Sequence, residues 1–77
     1  MEQVNHPAHY QTNGVECIDA IEAVVEGLDP QEAFLTGTAI KYLWRFKKKG
    51  KPIEDLQKAM WYISRLIDHE VDNKEDK

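Results

Sequence analysis

The sequence has a single cysteine, Cys17, and no apolar run of the length that crosses a membrane. One cysteine excludes an internal disulfide and a zinc site built from several cysteines. A membrane span needs about 20 apolar residues, and no charged and then apolar leader is present. The G-x-x-x-x-G-K-[ST] phosphate loop is also missing. We therefore expect a soluble cytoplasmic protein that needs no cofactor.

Lysine and arginine are absent from residues 1–40, whose seven carboxylates give a net charge of −7. Residues 41–65, here called the basic window, hold eight basic and two acidic residues, for +6. Residues 66–77 return to −3, so the overall charge of −4 hides a local positive field. Such a field attracts phosphate groups. Because the flanking segments are acidic, a compact nucleotide is expected there rather than a long nucleic acid.

Capping signals and apolar spacing predict three helices, over residues 13–27, 29–48 and 53–71. Asn13, followed by Glu16, has the pattern of a capping box at the start of the first helix. Asp29 and Pro30 have the residue types of an N-cap and a first helical position. A break at Gly50 separates the second and third helices.

The predicted fold is a single all-α domain with a short first helix and a long antiparallel helical hairpin. An extended arm (residues 1–12) precedes the helical core (13–71), and an acidic tail (72–77) is expected to fray. The core-facing stripes are predicted to be Ile18, Ile21, Val25 and Leu28, then Leu35, Ala39, Leu43 and Phe46, then Ile53, Leu56, Met60, Ile63 and Ile67. A chain of 77 residues buries a thin core, so a homo-oligomer is expected.

Basic residues of the window share helical faces. Lys41, Arg45 and Lys48 lie on one face of the second helix, and Lys58, Trp61 and Arg65 lie on one face of the third. Antiparallel pairing would place both faces along one groove. Arginine and lysine bind phosphate oxygens. The rings on which a base could stack are those of Tyr42, Trp44, Trp61 and Tyr62. The alternative is that the cations only solvate the outer surface while the aromatic residues fill the core.

The N-terminal arm contains a second group of candidates, His6, His9 and Tyr10. We expect these side chains to close over a bound ligand and donate hydrogen bonds to it, a free terminus being the alternative. Two histidines would need further ligands to hold a metal, so no metal site is predicted. Gly37, inside the second helix, costs about 1 kcal/mol relative to alanine, which close helix packing or close approach of a ligand would offset.

Four segments carry a resemblance to a known family: H-P-A-H-Y, G-V-E-C-I-D-A-I-E, G-T-A-I-K-Y-L-W-R and K-K-G-K-P-I-E-D-L-Q-K-A-M-W-Y. Over about residues 6–67 the chain resembles a family of small tailed-phage proteins of unknown function, often labelled nucleotide kinase. The resemblance implies a helical protein connected with nucleotides in an infected bacterial cell. The positions that match the family's motifs are His6, His9, Tyr10, Gly37, Lys41, Tyr42, Arg45, Asp55, Lys58 and Trp61.

Three functions fit these observations. The first is an oligomeric, non-enzymatic protein that sequesters a nucleotide, such as a cyclic nucleotide or an ADP-ribose-type defence signal, by analogy with small phage proteins that do so. The second is an enzyme, either a nucleoside monophosphate kinase or a hydrolase, with magnesium held by Glu54 and Asp55 or by Glu16 and Asp19. The third is a nucleic-acid binder. Phosphoryl transfer needs a cradle for two substrates and metal ligands, so a binder without catalytic residues is expected from so small a chain.

Overall fold

The structure, a computed structural model, describes residues 11–12 and 14–75. Its elements are the short strands β1 (Gln11–Thr12) and β2 (Val15–Glu16) and the helices α1 (Cys17–Val25), α2 (Pro30–Arg45) and α3 (Pro52–Glu75). The all-α prediction is confirmed, since three helices make up most of the described part of the chain. The N-terminal arm up to residue 10 lies outside the described residues.

The first helix begins later than predicted because a small β-hairpin precedes it. The two strands pair antiparallel across a turn in which Gly14 has a φ of +81°. Val15 and Glu16 are therefore extended, and α1 begins only at Cys17. Asn13, the predicted N-cap, lies outside the described residues, but a helix start before Cys17 is wrong. A glycine adopts positive φ without steric cost, which favours a tight turn at this position.

The start of α2 is confirmed in detail. The Asp29 carboxylate accepts a hydrogen bond from the Glu32 backbone N–H at 2.7 Å, and the Asp29 N–H donates to Glu32 Oε1 at 3.1 Å. Pro30 occupies the first helical position. The helix ends at Arg45 rather than near Lys48, because the backbone N–H groups of Lys48 and Lys49 both bond to the Arg45 carbonyl and close a turn.

The third helix runs to Glu75, four residues beyond the predicted end of the helical core at Val71. Its C-terminal part is tied to α2: His69 Nε2 lies 3.0 Å from Asp29 Oδ2. Asn73 Nδ2 lies 3.1 Å from the same nitrogen of His69, one helical turn away. These contacts hold the last turns of α3 against the start of α2.

The core lies on both sides of α2, which packs against α1 and against α3. Its buried apolar residues are Cys17, Leu35, Ala39 and Ala59. Leu35 and Ala39 were predicted to face inward and do so, whereas Leu43 of the same stripe is 44% exposed. On α1, Ile18 (54%) and Leu28 just beyond it (38%) are exposed, against the prediction.

The predicted inward face of α3 is wrong. Every member of its stripe is exposed: Ile53 by 71%, Leu56 by 36%, Met60 by 69%, Ile63 by 38% and Ile67 by 56%. The less exposed α3 residues are instead Asp55, Ala59, Tyr62, Leu66 and His69. The small side chain of Ala59 allows α2 to approach closely, and Asp55 and Tyr62 have specific partners on α2. These contacts turn the helix away from the orientation that apolar spacing alone indicates.

Gly37 is explained by helix packing. It is buried, and a Cβ added there would lie 3.0 Å from Ile21 Cγ2 on α1. This distance is shorter than ordinary van der Waals contact, so the two helices approach at the glycine. Close packing therefore accounts for a glycine in the interior of α2, where alanine would otherwise be preferred.

We expect Gly37→Leu to lower the free energy of unfolding by about 1–2 kcal/mol, because a larger side chain overpacks the contact between α1 and α2. Ile21 is only half-buried and can move, which keeps the cost at the low end. Urea denaturation followed by circular dichroism measures it. Ala23→Leu on the exposed side of α1 is the control, and an equal loss in both variants would contradict the packing explanation.

Candidate functional site

An open groove of about 280 Å³ lies where the C-terminal half of α2 meets the N-terminal half of α3. It is lined by Tyr42, Lys58, Trp61 and Tyr62 and is called the Tyr42 groove below. Lys58 and Trp61 of this lining lie three residues apart on α3, and the packing of α2 against α3 brings Tyr42 beside them. The lining therefore includes both helices, whereas the predicted α2 face of Lys41, Arg45 and Lys48 lies outside it.

The aromatic rings of the groove form a connected cluster. Tyr42 and Tyr62 stack with centroids 6.0 Å apart and an interplanar angle of 18°. Trp61 meets Tyr62 edge-on, with a centroid distance of 4.9 Å and an interplanar angle of 78°. Phe34 also meets Tyr62 edge-on, at 6.2 Å and 75°. Such offset and edge-to-face arrangements are the favourable ones for aromatic pairs. They fix the rings, while Trp61 keeps 57% of its surface exposed to solvent.

Three cations surround the ring of Tyr42. Lys41 Nζ lies 5.1 Å from its centroid, Arg45 Cζ lies 4.8 Å away and Lys58 Nζ lies 5.6 Å away. The face of an aromatic ring attracts a cation, but three like charges around one ring also repel one another. On the third helix, Arg65 Cζ lies 5.4 Å from the centroid of Trp61. Asp55 contacts Arg45 and Glu54 contacts Lys58, so these carboxylates offset part of the repulsion and a bound anion would offset the rest.

Arg45 also joins the two helices. Its Nε donates to Asp55 Oδ2 and its Nη2 donates to Asp55 Oδ1, both at 3.3 Å. The two side chains are only 14% and 4% exposed. Asp55 therefore receives a two-point contact from a cation rather than presenting its carboxylate to a metal ion. Glu54 likewise contacts Lys58, with Nζ to Oε2 at 3.3 Å.

The structure brings together most of the predicted ligand-binding residues that it describes. Those around the groove or its rings are Lys41, Tyr42, Arg45, Lys58, Trp61 and Arg65. Lys48 lies instead in the turn after α2, outside the lining of the groove. His6, His9 and Tyr10 lie outside the described residues. Tyr62, expected from the sequence to offer a stacking surface, also lines the groove, four residues after Lys58 on the same side of the helix.

Cys17 has the environment of a structural residue. Its side chain is buried at the start of α1. Burial raises the pKa of the thiol, while the nearby charge of Lys41 acts in the opposite direction. A raised pKa keeps the sulfur protonated at neutral pH, and the thiolate is the nucleophilic form.

A second polar cluster lies at the other end of the helical pair. Asp29, Glu32 and His69 each place a ligand-type atom within 4.8 Å of the others. Asp29 and Glu32 already cap α2, and His69 contacts Asp29. The Glu32 backbone N–H and then His69 lower the pKa of Asp29, while the hydrogen bond to Asp29 raises the pKa of His69. A hydrogen bond with Glu32 raises the pKa of Glu70. We assign this cluster to helix capping and helix pairing.

The cluster predicts a pH dependence of stability. Because the pKa of His69 is raised above its ordinary 6.5, its contribution is fully present below that value and is lost as the pH rises through the folded-state pKa. The contribution of Asp29 is present above 3.8 and is lost as the pH falls, since its pKa is lowered. We expect the urea concentration at the unfolding midpoint to decrease as the pH is raised above 6.5. In His69→Gln, which retains His6 and His9, this slope should flatten; an unchanged slope would contradict the assignment.

Among the described residues, no helix combines the length and the apolar character needed to cross a membrane.

Residues 4–64 match the family model described as a protein of unknown function, DUF3310. The matched range includes the four residues that line the Tyr42 groove and ends before His69. No curated protein and no solved structure matches the chain.

Proposed function

We propose that this chain, which belongs to the DUF3310 family of proteins of unknown function, binds a phosphorylated nucleotide in the Tyr42 groove. The observation that carries the proposal is the group of three cations around Tyr42 beside the half-exposed ring of Trp61. Phosphate oxygens accept hydrogen bonds from lysine and arginine. A base stacked on an aromatic ring gains about 1–3 kcal/mol in single-strand binders. A nucleotide combines both requirements in one molecule.

The roles of the groove residues differ. Lys58 lines the groove with its side chain 45% exposed, so its ammonium can leave Glu54 and meet a phosphate. Lys41 is held beside the same tyrosine ring. Arg45 adds positive charge, but its guanidinium donates two hydrogen bonds to Asp55. This contact fixes the relative position of α2 and α3. Trp61 offers the stacking surface.

Binding without chemical conversion is the form of the proposal that the described geometry favours. Glu54 and Asp55, the carboxylates that a magnesium-dependent kinase or hydrolase would use at the start of α3, each contact a cation. The groove is open and shallow, whereas phosphoryl transfer needs a site that excludes water and holds two substrates. A binder needs only donors and a stacking surface.

The finer form of the proposal concerns the ligand and its setting. By its resemblance to small tailed-phage proteins, we propose that the chain is phage-encoded and sequesters a nucleotide signal of bacterial defence, such as a cyclic nucleotide or an ADP-ribose derivative. Sequestration would take place in the cytoplasm of the infected cell, with the protein in an oligomeric form. The acidic segments on either side of the basic window support a compact ligand rather than a nucleic acid.

The test is calorimetric titration of the purified protein with a panel of nucleotides. The panel contains mono-, di- and triphosphates, cyclic dinucleotides and cyclic ADP-ribose isomers, and each ligand is recovered afterwards and checked by chromatography. Tight stoichiometric binding of an unchanged ligand is the expected result. A chemically altered ligand would replace the proposal with an enzymatic function, and no binding across the panel would refute it.

A further inference from the structure

The helix α3 has three distinct faces. One packs against α2 through Ala59 and its neighbours, and a second carries the Tyr42 groove. The third is an exposed apolar stripe, called the apolar seam, which consists of Ile53, Leu56, Met60, Ile63 and Ile67. At about 100° of rotation per residue, the seam lies roughly 120° from the face that packs on α2 and roughly 150° from the groove.

The spacing of the seam is that of a coiled coil. Its members follow one another at alternating intervals of three and four residues. This is the a and d pattern of a heptad repeat, in which each side chain inserts between four side chains of a facing helix. With 24 residues, α3 offers several turns of such a surface. A helix that only rested on a globular core would need a wider, less regular stripe.

The small size of the core also indicates that the seam is covered. The four buried apolar residues of the described chain include two alanines, and no large side chain there is less than 2% exposed. Met60 is 69% exposed and Ile53 is 71% exposed. Soluble proteins rarely leave a contiguous apolar surface of this kind in water, and small domains often complete their core by association.

We propose that a second copy of this chain covers the seam, with the two α3 helices antiparallel. Charge decides the occupant and its direction. The turn between α2 and α3 carries Lys47, Lys48, Lys49 and Lys51, whereas the C-terminal part of α3 carries four acidic residues, Asp68, Glu70, Asp72 and Glu75, against Lys74. In an antiparallel pair each basic turn lies beside the acidic end of the other copy, while a parallel pair would place like charges together. In a two-fold pair both copies use the same surface, so the assembly stops at a dimer and no seam is left exposed for a third copy.

The seam sets the register of the pair. We place the two-fold axis between Met60 and Ile63, a register in which four of the five seam residues face one another. Leu56 of one copy then faces Ile67 of the other. Because the Tyr42 groove points away from the seam, it remains open in each copy. The pairing therefore does not depend on nucleotide binding.

Sedimentation equilibrium of the full chain over a wide range of concentrations tests the pairing. We expect a dimer, and we expect Met60→Glu to raise the dissociation constant by on the order of 100-fold or more, since a carboxylate would be buried in the seam without a partner. Ile18→Glu, at an exposed apolar residue of α1, is the matched control and should leave the dimer intact. A wild-type chain that stays monomeric, or a Met60→Glu chain that dimerises normally, would overturn the proposal.

Disulfide trapping tests the direction without disturbing the charge. In a Cys17→Ala background, Leu56→Cys and Ile67→Cys chains are oxidised separately and as a mixture. Antiparallel pairing predicts a crosslink in the mixture alone, since two α-carbons must lie within about 7 Å to be bridged. Self-crosslinking of either variant would refute the antiparallel arrangement, and no crosslink in the mixture would refute the register. Met60→Glu should still bind a nucleotide that binds the wild type, because the Tyr42 groove lies away from the seam. Failure of the pairing and failure of nucleotide binding can therefore be told apart.

Discussion

Replacement of Arg45 by methionine is expected to lower the free energy of unfolding by about 3–5 kcal/mol, the cost of breaking a buried ion pair by removing one partner. The variant removes both hydrogen bonds to Asp55 and leaves that carboxylate with 4% of its side chain exposed to solvent. Methionine keeps much of the volume and the apolar contact of the arginine stem. Small domains are marginally stable. Urea denaturation followed by circular dichroism should therefore show a much lower midpoint, or a chain that is unfolded even without urea.

A double variant separates the loss of the pair from the loss of one partner. Arg45→Met combined with Asp55→Leu removes the unpaired carboxylate, and such apolar replacements of buried pairs are often neutral or stabilising. We expect the double variant to recover most of the stability lost in Arg45→Met. Equal instability of both variants would contradict the explanation that an unpaired buried carboxylate causes the loss. Arg45→Lys keeps the positive charge but cannot donate two parallel hydrogen bonds to the carboxylate. Its stability should therefore lie between that of the wild type and that of Arg45→Met.

Trp61→Ala is expected to weaken nucleotide binding by about 1–3 kcal/mol, roughly 5-fold to 150-fold, because the stacking surface of the Tyr42 groove is lost. The side chain is 57% exposed. Its removal should therefore change the stability of the protein far less than the protein's affinity for the nucleotide. Calorimetric titration measures the affinity, and urea denaturation measures the stability. Trp61→Phe should retain much of the binding, since a ring remains.

Two comparisons make the tryptophan result specific. Ile18→Ala removes a similarly exposed apolar residue from α1 and should leave the affinity unchanged. Lys41→Ala should weaken binding without loss of helicity, since its charge lies beside Tyr42. Arg45→Ala should weaken binding and also destabilise the fold, because Arg45 contacts Asp55. Unchanged affinity in Trp61→Ala would remove the groove from the proposed function.

Local signals in the sequence predicted the boundaries of the helices best where a side chain caps the backbone. The Asp29-Pro30-Gln31-Glu32 segment has the pattern of a capping box, and the structure contains that box. Capping depends on residues three positions apart, so no tertiary contact is needed to foresee it. Gly50, with a φ of +93°, marks the turn between α2 and α3 for the same local reason.

The β-hairpin before α1 was missed although a local signal was present. Asn13 and Gly14 form the dipeptide most typical of a tight hairpin turn. The same asparagine, with Glu16 three residues later, also fits a capping box, and the helical interpretation was chosen because Ile18, Ile21 and Val25 follow with helical spacing. The strands have only two residues each, too few for an alternating pattern to appear.

The sequence by itself determined the helical class, the turn at Gly50 and the basic and aromatic residue types that border the Tyr42 groove, because capping and helical spacing act over a few residues. Only the tertiary structure decided which face of α3 packs against α2. Apolar spacing indicated Met60 and its neighbours, but the Arg45–Asp55 pair and the small contact at Ala59 lie on another face. An ion pair between helices leaves no periodic pattern in the sequence. The spacing of an apolar stripe does not indicate whether the stripe packs within the same chain or against another one.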